Sequence, residues 1–532
     1  MQAEPSFVMP EEQDNLHQLI LALEKSNCFD HPVEQFEIVE THISCLLLTG
    51  PYVYKFKKPL DLGFLDFTTL EKRKHCCEEE IRLNSRLAPD LYLDVVAITG
   101  DERSPQINGD GPVIEYAVKM AQFDRSLELD KLIAQDRVTP TMIDRLAVDI
   151  AVFHGQIRTA PHDSRFGTPE HILQPVIDNL AQIKSMLADD RQYSMRMLAI
   201  EEWTDRTFEK FRPHFEKRKA KGFIRECHGD MHLGNMVLID NKPVIFDCIE
   251  FSESLHWIDV VSDLAFLVMD LHYYNRPDLA FRLLNIWLQE TGDYEGLKGL
   301  CFFMAYRALV RAKVACIRLG QEQNREQDML DYRRHIDLAA TFIQSQQPVL
   351  FIMHGLSGSG KTTFSQALLE RLAAIRIRSD LERKRLHYLP PTAKTGSAIA
   401  ADLYSPASTD QTYGRLEKLA EQILNAGYPV IVDATFLHAS RRQDFRQLAQ
   451  NCNVPFVILD CKTDDAVLRE RIQRRQQSHT DASEADLNVL GYQQSTQQKL
   501  RKEEQHYCVT IDTNGIPDID AVLSAIKNKL EN

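Results

Sequence analysis

The feature that most constrains the fold is a glycine-rich segment, residues 355–362, which reads Gly-Leu-Ser-Gly-Ser-Gly-Lys-Thr. It matches the pattern GxxxxGK[ST] in full, and an apolar run at 349–353 comes directly before it. Glycines allow the backbone to wrap an anion closely, and the helix start that follows directs its N–H groups towards that anion. A strand, this loop and a helix in that order predict a phosphate-binding loop, or P-loop.

The P-loop residues divide into those that wrap phosphates and those that carry charge or a metal ion. The candidate nucleotide-binding residues are Gly355, Ser357, Gly358, Ser359, Gly360, Lys361, Thr362 and Thr363. Lys361 is expected to reach the β- and γ-phosphates of ATP, and Thr362 to be a ligand of Mg²⁺. The alternative is a glycine-rich turn that arose by chance, which the flanking strand and helix patterns disfavour.

Strand and helix patterns alternate after the P-loop. Strand patterns at 349–353, 375–378, 430–433 and 456–460 are each followed by a helical pattern. Such alternation predicts an α/β P-loop NTPase domain with a parallel sheet. The polar segment 344–348, which ends in a proline, marks a linker before it. We therefore expect two domains, residues 1–345 and 346–532.

The first domain contains a second cluster of chemically informative residues. Residues 228–235 read His-Gly-Asp-Met-His-Leu-Gly-Asn, and Asp247 follows a short apolar strand pattern. Asp230, Asn235 and Asp247 have the spacing of a kinase catalytic loop followed by a metal-binding aspartate. Phosphoryl transfer needs one carboxylate to accept the hydroxyl proton, and an amide and a second carboxylate to hold Mg²⁺. The alternative of a transition-metal site at His228, Asp230 and His232 leaves the other two positions unexplained.

With Gly229 where protein kinases usually carry arginine, this segment resembles the aminoglycoside and choline phosphotransferase branch of the kinase fold. Asp259 and the run Ser-Asp-Leu-Ala-Phe at 262–266 also resemble that branch. The resemblance covers roughly residues 35–340. It implies an α+β, protein-kinase-like bilobal domain, with a small lobe at about 35–120 and a helical lobe at about 121–345.

The same resemblance assigns roles to residues. It implies that Asp230 is the catalytic base and that Asn235 and Asp247 are Mg²⁺ ligands. In the small lobe, Lys55 resembles the kinase strand lysine that contacts the α- and β-phosphates, and Glu80 is the preferred helix glutamate to hold it. The alternative is that these are solvated surface charges.

Three details qualify the small lobe. Strand alternation places Lys57 on the same face as Lys55. Glu78 and Glu79 precede Glu80 and are rival partners for Lys55. The glycine-rich loop of protein kinases is absent, and residues 41–44, Thr-His-Ile-Ser, stand in its place.

Two pieces of the second domain indicate a small P-loop kinase rather than a motor ATPase. Arg378-Ser379-Asp380, with Arg383 one turn later, resembles the SDxxR segment of polynucleotide 5′-kinases and zeta-toxin-type kinases. This implies that Asp380 activates the acceptor hydroxyl and that Arg383 binds the substrate. Asp433 ends an apolar strand pattern, in the place of a Walker B aspartate, and is expected to hold Mg²⁺.

A basic helical pattern follows the last of these strands and contains Arg469, Arg471, Arg474 and Arg475. In small P-loop kinases such a helix is a lid whose arginines close over the phosphates. Arg471 and Arg474 are the candidate nucleotide-binding residues of the lid. The alternative is a solvated, salt-bridged helix face, because Asp465 and Glu470 lie nearby.

The order of the two domains resembles bacterial fused proteins described as aminoglycoside-phosphotransferase-like with an ATP-binding C-terminal domain. It implies an ATP-dependent phosphotransferase with two Mg·ATP sites and a small hydroxyl-bearing acceptor at each. Two alternatives stay open. In one, the first domain is a nucleotide-sensing regulator of the second domain. In the other, the second domain phosphorylates the 5′-hydroxyl of a nucleic acid.

Composition limits the partners and the compartment. The formal net charge of -15 argues against broad electrostatic binding of nucleic acids or anionic membranes. Eleven cysteines without a CxxC pair favour reduced thiols, and so a cytoplasmic protein. No apolar run approaches the roughly 18 residues of a membrane helix. We therefore expect no membrane partner.

Overall fold

The computed structural model describes residues 10–26, 28–33, 35–63, 65–186, 191–319, 325–344, 347–390, 393, 405–478 and 486–531. The chain divides into two compact units. The first unit comprises Met1–Arg145, Val152–Ala188 and Asp205–Asp270, and the second comprises Leu146–Ala151, Asp189–Thr204 and Leu271–Asn532. No helix in the described ranges combines the length and the apolar character of a membrane span.

The first unit begins with a β-rich part. Its elements are α1 (Pro10–Ser26), β1 (Glu37–Glu40), β2 (Ser44–Leu48), β3 (Tyr52–Lys57), α2 (Leu70–Asn84), β4 (Tyr92–Asp101), β5 (Ser104–Ile107) and β6 (Val113–Ala121). In the described residues the strands form an antiparallel sheet in the order β1-β2-β3-β6-β4-β5. Thr69 caps α2 by accepting a hydrogen bond from the backbone N–H of Lys72. The six strands and α2 lie in the region predicted as the small lobe, about residues 35–120, and α1 precedes it; the bounds of the lobe stay a prediction.

The part that follows is mostly helical. Its elements are α3 (Leu129–Ala134), α4 (Pro140–Gln156), α5 (Pro169–Met186), α6 (Arg191–Ala220), β7 (Ile224–Glu226), β8 (Met236–Ile239), β9 (Lys242–Ile245), α7 (Glu253–His256), β10 (Trp257–Asp259) and α8 (Val260–Tyr273). β8 and β9 form a short antiparallel hairpin, and β7 pairs with β10. The segment 228–235 lies between β7 and β8, so both ends of the predicted catalytic loop are fixed by strands.

The second unit contains the predicted parallel sheet. Its elements are α9 (Pro277–Thr291), α10 (Leu297–Leu319), α11 (Arg325–Phe342), β11 (Leu350–His354), α12 (Lys361–Leu372), β12 (Ile375–Arg378), α13 (Ser379–Leu386), α14 (Pro406–Asn425), β13 (Val430–Asp433), α15 (Ala439–Asn451), β14 (Phe456–Lys462), α16 (Asp465–Ser478), α17 (Leu487–Thr496), β15 (Cys508–Asp512) and α18 (Ile519–Glu531). The strands are parallel in the order β12-β13-β11-β14-β15. The sequence-based expectation of an α/β domain with a parallel sheet is therefore confirmed, with β15 as a strand that the sequence pattern did not single out.

The compact units differ from the sequence-based domains in where they place α9, α10 and α11. These helices precede the predicted boundary between residues 345 and 346, yet they group with the parallel sheet, because α9 packs on α12 and β12. Ser345 and Gln346, at the predicted linker, lie outside the described residues. The boundary at 345/346 stays a prediction.

Candidate functional site

The loop at 228–235 is held by two carboxylates of α8. Asp263 accepts hydrogen bonds from the backbone N–H groups of His228, at 3.1 Å, and Gly229, at 2.9 Å. Asp270 accepts one from the N–H of Leu233, at 2.8 Å. The two aspartates are about two helical turns apart and therefore share a face of α8. That face fixes the loop at both ends.

Asp230 and Asn235 are brought together in this loop. The Asn235 side-chain nitrogen donates to the Asp230 carbonyl oxygen, at 3.0 Å, and to its carboxylate Oδ2, at 2.9 Å. Both ring nitrogens of His228 have partners: Nδ1 accepts from the Asp230 N–H within the loop, and Nε2 lies 2.9 Å from the carbonyl oxygen of Phe246, after β9. Burial lowers the pKa of His228, which keeps the ring neutral. These bonds support the loop and oppose a transition-metal site there.

A buried set of three potential metal ligands lies behind the loop. His154, Cys227 and Asp263 have ligand atoms within 4.8 Å of one another. His154 Nε2 lies 3.1 Å from Asp263 Oδ2, and the same carboxylate already accepts the two loop N–H groups. These hydrogen bonds explain why His154 and Asp263 lie together. The set therefore has a structural role, in which it supports the loop.

Asp247 has an unusual backbone conformation. Its φ is 64°, in the left-handed region that non-glycine residues rarely adopt. Its N–H donates to the Tyr92 hydroxyl, at 3.1 Å, and the next N–H, of Cys248, donates to Asn84 Oδ1, at 2.8 Å. These contacts hold the segment against the strain of about 1–2 kcal/mol that such a conformation costs. With 41% of its side chain exposed, Asp247 remains open to a ligand.

Lys55 lies between two carboxylates. Its Nζ is 2.7 Å from Glu80 Oε1 and 2.6 Å from Asp247 Oδ1. Burial alone would lower the pKa of Lys55, but Asp247 and Glu80 outweigh it and hold that pKa well above its usual value. The strand, the helix and the segment after β9 therefore bring together three of the predicted site residues.

Glu80 is the one of the three adjacent glutamates that faces the lysines. Glu79 pairs with Arg82, 2.7 Å away, and Glu78 lies 3.7 Å from Lys74. Burial alone would raise the pKa of Glu80, but its lysine partners lower it to about 2. Glu80 is therefore ionised at neutral pH and available to hold a cation.

The end of α2 is tied to β7 by a cluster of arginines around Glu226. Arg82 Nη2 lies 2.9 Å from Glu226 Oε1, Arg86 Nη1 lies 3.2 Å from Oε2, and Arg158 also contacts this carboxylate. Arg86 donates further to the carbonyl oxygens of Glu226 and Cys227. The helix that carries Glu80 is thus fixed to the strand that leads into the catalytic loop.

The glycines of the P-loop are required by close contacts. Gly355 has a φ of 141°, and a Cβ there would lie 2.8 Å from the Cys461 carbonyl oxygen. Gly358 has a φ of 83°, and its Cβ would lie 3.0 Å from the Leu468 carbonyl oxygen. Gly360, with a φ of 77°, is the N-cap of α12. A larger residue at Gly355 or Gly358 would push the loop away from the strand and helix beside it.

The remaining P-loop residues have the following surroundings. Lys361 Nζ donates to the carbonyl oxygens of Gly355, at 2.9 Å, and Leu356, at 2.7 Å. The Ser359 carbonyl oxygen accepts from Thr513 Oγ1, at 2.8 Å. Thr362 is half-buried and Thr363 exposed, both in the first turn of α12. These contacts hold the loop at the start of α12, and its role as a phosphate site stays a prediction.

Another side chain outside the motif, Gln493, also contacts the P-loop backbone. Gln493, on α17, accepts from the Ser357 N–H at 2.8 Å and donates to its hydroxyl at 3.0 Å. Both polar groups of Ser357 are therefore used by one amide. No local sequence pattern indicates this contact, because the two residues are separated by 136 positions.

Asp433 lies at the end of β13, next to the strand that precedes the P-loop. Its Oδ2 accepts from the Ser365 hydroxyl, at 3.3 Å, and Arg376 Nη1 donates to the same hydroxyl, at 3.1 Å. Arg376 also donates to the Thr362 carbonyl oxygen, at 3.0 Å. Burial and the neighbouring Arg378 lower the pKa of Arg376 to about 10, so it remains a cation. The buried cation of Arg376 is therefore linked by hydrogen bonds to both predicted Mg²⁺ ligands. The link to Thr362 is direct, and the link to Asp433 runs through the Ser365 hydroxyl.

The predicted acceptor residues lie on α13, directly after β12. Asp380 Oδ1 is 3.7 Å from Arg383 Nη1. Between them, the buried Glu382 contacts Arg385 and Arg415, which fixes α13 against α14. β12 and β13 pair with Arg378 opposite Asp433, so Asp380 and Asp433 follow the same edge of the sheet.

The lid arginines have different surroundings. Arg471 donates to the Thr513 carbonyl oxygen, at 2.7 Å, and a Cβ on Gly360 would lie 3.3 Å from its Nη1. Arg474 is mostly exposed and pairs with Glu470. The side chain of Arg475 lies outside the described residues. Of the two candidate nucleotide-binding arginines, only Arg471 has a described contact beside the P-loop.

Comparison with known families identifies both parts of the chain. Residues 77–300 match the model of the phosphotransferase enzyme family, and residues 350–500 match an AAA domain model. The chain contains a phosphotransferase-family, kinase-like domain followed by a P-loop kinase domain. The predicted family resemblance and fold class are therefore confirmed.

Individual relatives span one or both domains. An uncharacterized protein of Mycobacterium tuberculosis strain H37Rv is 29% identical over 471 residues, which cover 88% of this chain and 92% of that protein. The adenylyl-sulfate kinase of Vibrio cholerae is 29% identical over 136 residues, 25% of this chain and 60% of that enzyme. The solved choline kinase of Cryptosporidium parvum Iowa II is 10% identical, covers 62% of this chain and 96% of its own, and has a TM-score of 0.38.

Several residues of the kinase-like domain escaped sequence reasoning. Glu250 contacts Lys57, and the Tyr92 hydroxyl contacts the backbone N–H of the predicted site residue Asp247, but no local pattern marks either Glu250 or Tyr92. Asp263 and Asp270 did leave a signal, because they are charges within the apolar stretch of α8. Charged residues on a buried helix face are expected to have polar partners, and here the partner is the loop.

Proposed function

We propose that the chain is an ATP-dependent phosphotransferase with two Mg·ATP sites, each transferring the γ-phosphoryl group to a hydroxyl. The observation that supports this most directly is the position of Lys55, within 2.7 Å of Glu80 and 2.6 Å of Asp247. A strand lysine, a helix glutamate and a metal-ligand aspartate are the set with which kinases hold ATP.

At the first site, Asp230 is the proposed catalytic base. Its carboxylate accepts a hydrogen bond from the Asn235 amide, which supports the proposal that it accepts the proton of the acceptor hydroxyl. The acceptor oxygen forms a bond to the γ-phosphorus while the bond to the β,γ-bridging oxygen breaks, and ADP leaves. Lys55 is proposed to hold the α- and β-phosphates.

The donor set at the first site fits Mg²⁺. The Asn235 amide nitrogen is used by Asp230, which leaves its oxygen for a cation, and Asp247 offers an exposed carboxylate. Oxygen ligands of this kind suit Mg²⁺. When bound, Mg²⁺ neutralises phosphate charge. Asn235 and Asp247 are the proposed ligands.

At the second site, the P-loop is the proposed donor site. Lys361 is proposed to exchange its loop carbonyl partners for the β- and γ-phosphates, with Thr362 and Asp433 as Mg²⁺ ligands. Asp380 is the proposed base for the acceptor, and Arg383 the proposed acceptor-binding residue. This arrangement is supported by the parallel sheet, since ligands bind at the carboxyl ends of its strands.

The acceptor class is proposed to be a small molecule with a hydroxyl group. The V. cholerae relative is named for adenylyl sulfate, which makes that compound one arm of an acceptor screen for the second site. Sugars, nucleosides, aminoglycosides and 5′-hydroxyl oligonucleotides are the other arms. Phosphorylation of oligonucleotides alone would favour the nucleic-acid alternative.

Calorimetry tests the two-site proposal. Wild type under saturating Mg²⁺ should bind two nucleotides per chain, and Lys55→Ala and Lys361→Ala should each bind one. The double variant should bind none. A stoichiometry near one for wild type would remove the proposal of two sites.

A further inference from the structure

The Lys55–Glu80 pair is one half of a larger buried network. Lys57 has no exposed side-chain surface and contacts both Glu80 Oε2 and Glu250 Oε1. The charges therefore alternate along Asp247, Lys55, Glu80, Lys57 and Glu250. The two lysines come from one face of β3, and the two outer carboxylates come from one segment after β9.

We propose that Lys57 and Glu250 are positioning residues of the first nucleotide site: Lys57 engages one oxygen of Glu80 so that the other oxygen holds Lys55 towards Asp247. The inference rests on the proposed function of that site and adds two residues to it. Lys57 itself is fully buried and packs with Nζ 5.5 Å from the centre of the Phe67 ring. It therefore acts through Glu80 and not by touching a nucleotide.

The proposal depends on how the two oxygens of the Glu80 carboxylate are shared between Lys55 and Lys57. A carboxylate has two oxygens, and here each contacts a different lysine. Without Lys57, both oxygens would face Lys55 alone, and the stronger attraction would draw its Nζ away from Asp247. Lys55 would then be displaced from the place where the strand lysine meets the phosphates.

Glu250 fixes the other end of the network. It is buried and lies three residues after Asp247, whose backbone is in the left-handed region. Burial raises the pKa of Glu250, and the positive charge of Lys57 opposes that rise. The Lys57–Glu250 contact thus ties the segment that carries Asp247 to β3, the strand that carries Lys55.

The experiment uses the full chain with Lys361→Ala, so that only the first site binds nucleotide. The variants added to this background are Lys57→Met, Glu250→Gln, the pair of them together, and Lys58→Met as the matched control. Lys58 is the next lysine in sequence but pairs with Glu40 outside the network. Mg·ATP affinity is measured by calorimetry, and stability by thermal unfolding.

Lys57→Met is expected to weaken Mg·ATP at least about tenfold, the loss expected for one charge-assisted hydrogen bond, and to lower the unfolding temperature. In the double variant the unpaired charge of Glu250 is gone, so the unfolding temperature should recover part of its loss. The affinity should stay low, because Glu80 still lacks its second lysine. If Lys57 and Glu250 only stabilised the fold, Mg·ATP affinity and the unfolding temperature would recover together in the double variant.

Recovery of wild-type affinity together with stability in the double variant would overturn the positioning role, as would unchanged affinity in a folded Lys57→Met protein. If Lys57→Met does not fold, the double variant decides the question alone. If the Lys361→Ala background binds no Mg·ATP, the proposed function of the first site fails and this inference fails with it. Binding in the background without any effect of Lys57→Met removes only the inference.

Discussion

The side chain of Asn285 pairs with the backbone of β12 as a neighbouring strand would. Its Nδ2 donates to the Ala374 carbonyl oxygen, at 2.9 Å, and its Oδ1 accepts from the Arg376 N–H, at 2.7 Å. β12 is one of the two edge strands of the described parallel sheet, and an exposed edge is prone to pair with other chains. One asparagine of α9 thus covers part of an edge in the domain that carries the P-loop.

Asn285→Leu is expected to destabilise the protein. The leucine has a similar size but leaves two buried backbone groups of the edge strand without partners, at about 1–3 kcal/mol for each. Urea denaturation, followed by circular dichroism, measures the loss. Binding of Mg·ATP at the second site should weaken only when unfolding begins.

Asn179→Leu provides the control for that substitution. Asn179 is also buried, but its amide nitrogen has no hydrogen-bond partner within the described part of the chain. Its replacement should cost little stability or raise it. An Asn285→Leu protein as stable as the control would show that the asparagine does not seal the edge.

The sequence predicted best what is encoded locally. The P-loop and the segment 228–235 are short motifs whose chemistry depends on residues a few positions apart, and strand alternation placed Lys55 and Lys57 on one face. Glu80 was the preferred partner of Lys55, but Glu250 could not be predicted as a partner of Lys57, since the two are 193 residues apart. Asn285 gave no signal either, because a polar residue on a helix does not reveal that it will meet a strand edge.

Asp230→Asn should keep nucleotide binding at the first site and abolish transfer from it. The proposed base acts on the acceptor hydroxyl, whereas ATP is held by Lys55 and the metal ligands. Asp247→Ala should instead weaken Mg·ATP itself. Calorimetry in the Lys361→Ala background, beside an assay of acceptor phosphorylation, separates the two effects. Full turnover by Asp230→Asn would contradict the assignment.

The Glu226 cluster predicts a dependence of stability on pH. Burial alone would raise the pKa of Glu226, but Arg82 and Arg158 outweigh it and lower the pKa to about 2. A carboxyl with a pKa below that of the unfolded chain, about 4.3, contributes stability that is complete above the unfolded value. That contribution is lost as the pH falls from about 4.3 towards 2.

The stability difference between wild type and Glu226→Gln should therefore be largest near neutral pH and shrink across this acid range. Urea denaturation at a series of pH values measures it. Glu209→Gln is the control, because Glu209 is an exposed partner of Arg212 and should change stability little at any pH. A difference that stays constant down to pH 2 would mean that the arginines do not depress this pKa.

The two candidate lid arginines should differ in their effect on nucleotide binding. Arg471→Ala removes a cation beside Gly360, so Mg·ATP at the second site should bind several-fold more weakly, as for the loss of one charge-assisted contact. Arg474→Ala removes an exposed residue paired with Glu470 and should change affinity less than about twofold. Calorimetry in a Lys55→Ala background isolates the second site. If both substitutions weakened Mg·ATP equally, both arginines would belong to the lid. If neither substitution weakened it, neither arginine would.

Asp380 and Lys361 should divide the work of the second site between acceptor and donor. Lys361 contacts the P-loop carbonyls, whereas Asp380 lies on α13 beside Arg383, after a different strand of the sheet. Lys361→Ala should therefore abolish ATP binding at this site. Asp380→Asn should preserve it and stop transfer to the acceptor.

Hydrolysis of ATP should survive in Asp380→Asn, because water needs less precise activation than a bound acceptor. Acceptor phosphorylation and hydrolysis are measured in parallel on both variants, and calorimetry reports ATP binding. Arg383→Ala is the companion substitution: it should weaken the acceptor, seen as a raised KM, with ATP affinity unchanged. If Asp380→Asn lost ATP binding as completely as Lys361→Ala, Asp380 would serve the nucleotide or the fold. The second domain would then be better described as a P-loop ATPase than as a kinase acting on a hydroxyl.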